Sequence, residues 1–129
     1  MRYVIVLAIG GLVPAACGTS AASNTETVTG QVIDLACYML DKANTTNTHR
    51  GRGYACAQAC AKEGFQVGLL SSDGKVYQIA GGLAANKNAK LVPHVGHTVS
   101  ITGDVGQKNG LAFVTSDDLQ MVSATGATR

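Results

Sequence analysis

The chain has 129 residues and a formal net charge of +2 at neutral pH. This length provides one domain with a single core, and removal of a leader would leave roughly a hundred residues for it. The small net charge excludes long-range attraction of nucleic acid, and the absence of tryptophan argues against a stacking surface for single-stranded bases.

The first 17 residues have the pattern of a signal peptide. Arg2 precedes an apolar run of about ten residues, which is too short to cross a bilayer as a helix. Two processing schemes remain open: either Cys17 becomes the acylated first residue of a lipoprotein, or a signal peptidase cuts a little later and removes it. Residues 18–25 are small and polar and predict a flexible tether. Both schemes predict an exported protein that is periplasmic, lipid-anchored to the outer or cell membrane, or secreted.

The segment 26–122 begins with a pattern of strands. Residues 26–35 are rich in β-branched side chains and predict a first strand that bends or bulges at Gly30. Residues 66–70 and 75–80 are apolar runs around an Asp-Gly turn, which is typical of a β-hairpin. These segments are the predicted second and third strands.

A short helix and two further strands follow. Residues 83–90 are compatible with a helix that ends before Pro93. Residues 98–105 alternate apolar and polar side chains and predict a fourth strand. Residues 111–114 predict a fifth strand, which residues 119–122 extend or continue, and residues 123–129 are expected to be a disordered tail.

Five strands with a helix between the third and the fourth have the layout of an OB-fold, a five-stranded Greek-key barrel. The chain resembles small exported bacterial OB-fold proteins of largely uncharacterised function, and the resemblance extends over residues 27–122. It is carried by residues 30–34 (GQVID) in the first strand and residues 97–103 (HTVSITG) in the fourth. The resemblance implies the fold rather than an activity. The predicted class is therefore mainly β, with an OB-fold-like barrel.

An additional helix is predicted at residues 54–63, between the first and second strands. The segment is dense in alanine, and Gly64 follows at the position of a left-handed C-terminal cap. Cys56 and Cys60 are four residues apart, so they lie on the same helix face. A plain OB-fold needs only a loop here, so the cysteine-bearing helix is interpreted as an insertion.

The cysteines of the mature domain predict a soft metal site. Cys37 lies at the end of the first strand, and His49 lies in a polar loop that is expected to be exposed. With Cys56 and Cys60 they provide three or four ligands suited to Cu(I) or Zn(II), and Met39 is a weaker candidate. The spacing of the two helical cysteines is similar to that of the Sco copper chaperones, which also use a distant histidine.

Two other uses of these cysteines remain open. A structural disulfide from Cys37 to Cys56 or Cys60 would stabilise the domain by about 3 kcal/mol, leaving an OB-fold module that binds a ligand or protein without metal. A redox-active thiol pair is the second alternative. Metal binding is preferred because a single disulfide leaves one thiol unused in an oxidising compartment, whereas a metal site uses all three.

No catalytic constellation is recognised, so an enzyme is not predicted. Asp34 is expected to be a surface aspartate, and His94 and His97 are expected to be solvated loop residues. The predicted partners are a metal ion or an envelope protein, without nucleic acid. Contact with a membrane is expected only through a lipid on Cys17.

Overall fold

The computed structural model describes residues 24–51, 53 and 55–124. The predicted signal peptide with Cys17, the tether as far as residue 23 and the last five residues of the tail lie outside the described residues. The strands are β1 (Asn24–Asp34), β2 (Val67–Ser71), β3 (Val76–Ala80), β4 (Thr98–Lys108), β5 (Leu111–Thr115) and β6 (Gln120–Ser123). Two helices, α1 (Leu35–Leu40) and α2 (Cys56–Lys62), lie between β1 and β2.

Strands β1 to β5 close into a mixed barrel in the order β1-β2-β3-β5-β4, and β4 pairs back onto β1. All neighbours are antiparallel except β3 and β5, which are parallel. This architecture confirms the predicted OB-fold-like barrel. Strand β6 is an additional antiparallel strand on β4, whereas the sequence had suggested an extension of β5.

Strand β1 pairs with β4 along its first part and with β2 along its second part. Both pairings include Gly30, which lies opposite Val99 on one side and Ser71 on the other. A Cβ atom at Gly30 would collide with the carbonyl oxygen of Leu70, so the close approach of β2 requires glycine. Beyond Gly30, β1 continues along β2 and ends at Asp34, directly before α1.

The barrel interior is filled by the inward side chains of all five strands, and α2 packs on the same cluster. Ala57 and Ala61 of α2 are buried against it because they lie one helical turn apart and carry small side chains. The largest fully buried apolar side chains are Ile33, Leu69, Leu83, Leu91 and Ile101. Burial of the alanine face fixes the rotation of α2 and therefore the direction of its cysteines.

The helical segment between β3 and β4 is present as three short turns rather than one continuous helix. They are a 3-10 turn at Gly81–Ala84, a helical turn at Ala85–Asn88 and a second 3-10 turn at Val92–His94. Asn86, Lys87 and Asn88 have positive φ values, between 52° and 58°, which a right-handed helix does not allow.

Candidate metal centre

Asp34, the last residue of β1, is buried, with only 3% of its surface exposed. The expectation of a surface aspartate is therefore wrong. Its side chain caps α1, because Oδ1 accepts a hydrogen bond from the backbone N–H of Cys37 at 3.1 Å. The end of β1 and the start of α1 together hold this carboxylate inside the protein.

Cys37 lies in α1 and not at the end of an extended strand, as the sequence had suggested. Leu35, Cys37 and Tyr38 form the buried side of this six-residue helix. The Cys37 carbonyl accepts hydrogen bonds from the backbone N–H of Asp41 at 3.0 Å and from Nδ2 of Asn44 at 3.1 Å. The helix places the thiol one turn beyond Asp34, facing inward.

His49 is only 1% exposed, although most of the described residues in its loop are exposed, as the polar sequence predicts. The side chain of Asn44 explains part of this burial. Its Nδ2 donates to the Cys37 carbonyl, and its Oδ1 accepts the backbone N–H of Arg50 at 3.1 Å. One buried amide therefore ties the His49 segment to α1.

The same loop is also tied to α2 and to the turn before β4. The backbone N–H of Ala57 donates to the carbonyl of Asn47 at 3.2 Å. Gly96 lies against the backbone at Asn47, where an added Cβ would be 3.1 Å from the Asn47 nitrogen. The backbone of the loop is thus held from two sides, by α2 and by the turn before β4. The polar sequence of the loop did not indicate these two contacts.

Helix α2 brings Cys60 to Asp34. The Cys60 thiol lies beside the Asp34 carboxylate and the Cys56 thiol. Burial raises the pKa of Cys60 from its ordinary value of 9.0 to about 11, and the neighbouring Asp34 carboxylate acts in the same direction. Cys60 is therefore a neutral thiol at physiological pH when no metal is bound.

The ligand atoms of Asp34, Cys37 and His49 lie within 4.8 Å of one another, and all three residues are buried. Carboxylate oxygen, thiolate sulfur and imidazole nitrogen all bind zinc at about 2.0–2.3 Å, so ligands of one tetrahedral ion lie about 3.3–3.8 Å apart. A pair at the 4.8 Å limit would have to close by about 1.0–1.5 Å, which is within the reach of side-chain rotation. The donor set therefore fits a metal ion.

The predicted ligands occupy different positions relative to this group. Cys37 and His49 belong to it, Cys60 contacts it through Asp34, and Cys56 lies one step further away, beside Cys60. Met39 is 57% exposed and accepts a hydrogen bond from Lys42, so it lies outside the cluster. Among the described residues, no disulfide joins Cys37, Cys56 and Cys60 to one another.

Comparison with known proteins adds no family to this description. No protein-family model matches the chain, and searches of curated proteins and of solved structures find no significant match. In the described part of the chain, no helix combines the length and the apolar character needed to cross a membrane. The functional argument therefore depends on the geometry of the buried cluster.

Proposed function

We propose that this protein binds a metal ion through Asp34, Cys37 and His49, with Cys60 as the fourth ligand. The observation that carries the proposal is the convergence of three metal-binding side chains, from a strand end, a helix and a loop, in one buried place. Burial of a charged carboxylate is costly unless a cation or hydrogen-bond donors lie beside it. A metal ion at this place would contact all three side chains at once.

The donor set favours Zn(II) over Cu(I). Thiolate and imidazole suit both ions, but carboxylate oxygen is a ligand for Zn(II) and a poor one for the softer Cu(I). The burial of Asp34 in the cluster therefore shifts the preference. Copper binding remains the alternative. Direct competition between Zn(II) and Cu(I) for the protein decides which ion binds more tightly.

Metal uptake at this site requires that Cys60 lose its proton. The pKa of about 11 means that the ion must displace this proton. Zinc affinity is therefore expected to decrease as the pH is lowered. The positive charge of the ion would offset both the cost of burying the Cys60 thiolate and its repulsion by Asp34.

A thiol redox function is less well supported. Redox-active cysteines have depressed pKa values because the thiolate is the reactive form, whereas the pKa of Cys60 is raised. A disulfide-stapled module predicts a bridge between Cys37 and a cysteine of α2 in the isolated protein. Mass spectrometry with and without thiol labelling distinguishes a bridge from three reduced cysteines.

We further propose that the protein works outside the cytoplasm, in the periplasm or attached to the envelope. The support is the signal-peptide pattern of residues 1–17 and the lipoprotein-like context of Cys17. Mass spectrometry of the protein recovered from its native envelope tests this, because an acylated Cys17 and a chain beginning after it differ in mass.

The central test is zinc binding by the reduced full chain, measured by competition with a chromophoric chelator. Cys37→Ser and His49→Gln are each expected to weaken zinc binding about 100-fold or more. Cys60→Ser should weaken it more than Cys56→Ser, which serves as an internal control on the same helix. Met39→Leu is the matched control outside the cluster and should retain wild-type affinity.

The same protein preparation is used to identify the metal and to test the result that would overturn the proposal. Co(II) should bind in place of zinc and show a sulfur-to-metal charge-transfer band that Cys37→Ser removes. If Cys37→Ser and His49→Gln both keep wild-type zinc affinity while remaining folded, the proposed centre is wrong.

A further inference from the structure

A pair of histidines lies outside the cluster, in the turn that leads into β4. The ring centroids of His94 and His97 are 5.9 Å apart, and the ring planes meet at 74°. Each residue is half-buried, but the Nδ1 atom of each ring is fully buried and has no hydrogen-bond partner among the described residues. The Nδ1 edges of both rings therefore point into the protein, which corrects the expectation of two solvated histidines.

The backbone holds these two residues in a fixed relation. The N–H of His97 donates to the carbonyl of His94 at 2.8 Å, and the His97 carbonyl accepts the N–H of Val32 in β1 at 2.9 Å. Gly96, between the histidines, has a φ of 83° and donates to the Val32 carbonyl at 2.8 Å. Glycine is needed here because of the positive φ and the close approach to Asn47.

The ring geometry matches two imidazoles on one metal ion. Nitrogens at about 2.0–2.1 Å from a shared ion place the ring centroids about 5–6 Å apart, with the planes free to cross steeply. Burial lowers the pKa of His94, and the neighbouring charge of His97 acts in the same direction, so His94 is in the neutral, metal-binding form at neutral pH. A buried imidazole nitrogen without a partner is otherwise a cost to the fold.

We propose that His94 and His97 form a second, weaker metal site, which binds a borderline divalent cation such as Zn(II) through both Nδ1 atoms. Only two protein ligands are present, so water must complete the coordination, and because both Nδ1 atoms are buried the two rings must rotate outwards to admit the hydrated ion. The turn contacts the loop that carries His49 through Gly96 and Asn47, but it shares no ligand with the Asp34 cluster. The proposal therefore does not depend on the first centre.

Imidazole nitrogen NMR of the full chain tests this site directly. During a titration with Zn(II), the Nδ1 resonances of both His94 and His97 are expected to shift, while their Nε2 resonances change less. His94→Gln and His97→Gln should each remove the shift of the remaining partner and lower the zinc stoichiometry by one. Near-ultraviolet circular dichroism checks that each variant is folded.

The control variant is His49→Gln, which alters only the first centre. In it, the Nδ1 shifts of His94 and His97 should persist. The proposal is overturned if the wild-type Nδ1 resonances do not move at saturating zinc, if only one of the two moves, or if the response is lost in folded His49→Gln. The wild-type measurement decides the matter even if a variant fails to fold.

Discussion

The carboxylate of Asp34 lies beside the thiol of Cys60 and helps to raise its pKa, although the two residues lie on different elements of the chain. The same carboxylate caps α1 through the backbone of Cys37. Asp34 therefore links both cysteine-bearing helices to the end of β1. This relationship makes the aspartate the residue whose replacement is most informative.

Replacement of Asp34 should separate its charge from its capping role. Asp34→Asn keeps an oxygen that can cap α1 but removes the charge, so zinc affinity and the pKa of Cys60 should both fall while stability changes little. Asp34→Ala also loses the cap, which costs about 1 kcal/mol of unfolding free energy. Thiol alkylation rates measured against pH report the Cys60 pKa. Chelator competition reports the zinc affinity, and urea unfolding reports the stability. Asp104→Asn, at an exposed aspartate, is the control, and an unchanged zinc affinity in Asp34→Asn would contradict the role given to Asp34.

The raised pKa of Cys60 predicts a pH dependence of stability in the reduced, metal-free protein. The unfolded chain loses this proton near pH 9.0, whereas the folded chain keeps it up to about 11. Folding therefore takes up a proton in this window, and the free energy of unfolding decreases as the pH rises through it. Below pH 9.0 the contribution is constant.

Urea unfolding at several pH values across that window tests the prediction. Cys60→Ala should show a shallower decrease than the wild type, whereas Cys56→Ala should keep most of it. Other groups titrate in the same range, so the comparison is between variants and not between absolute slopes. Identical slopes for wild type and Cys60→Ala would show that the Cys60 pKa is not raised.

Asn44 is predicted to position the metal ligands without touching the ion. Its amide joins the Cys37 carbonyl to the N–H of Arg50, next to His49. Asn44→Ala removes both bonds and should weaken zinc binding about 10- to 100-fold. Asn47→Ala, a change of the same kind in the same loop, should have a much smaller effect. Equal zinc affinities for the two variants would refute the positioning role.

Asn88 fixes α2 from the other side of the helix. Its Nδ2 donates to the carbonyls of Ala61 and Phe65, both at 2.9 Å, and the residue is buried. Asn88→Ala should lower the free energy of unfolding by about 1–3 kcal/mol because two hydrogen bonds from a buried amide are lost. Asn86→Ala is the matched control, since Asn86 also has a positive φ but is exposed. Denaturant unfolding of both variants isolates the contribution of the buried amide, and equal losses would contradict it.

The barrel was predictable from sequence because each strand carries its own local signal. The Asp-Gly turn between β2 and β3 and the alternation in β4 are examples, and the alanine-rich α2 was predictable for the same reason. The turn region after β3 was not, because the left-handed residues from Asn86 to Asn88 are stabilised by contacts with α2. Secondary-structure propensity is a local property and does not reveal such tertiary contacts.

The site was only partly predictable. Cys37, His49 and Cys60 were identified because thiols and imidazoles are rare and chemically distinctive, but Asp34 was assigned to the surface. Its burial depends on α1, a six-residue helix that follows β1 without a break. Asp34 at the N-cap position and the helix formers Leu35, Ala36, Met39 and Leu40 are a local helix signal, but the apolar pattern of β1 continues into them and favoured a strand. The burial of His49 depends on Asn44 and on the Gly96 turn, which are tertiary contacts.

All four proposed ligands lie between residues 34 and 60, yet a peptide of that length would not reproduce the centre. The end of β1 is held by the bond from Val32 to His97, and α2 is held by Asn88, so both supports come from later in the chain. Transfer of the four ligands to another scaffold would therefore also require the Val32–His97 hydrogen bond and the contacts of Asn88. The proposed binding unit is therefore the complete domain and not the segment that carries the ligands.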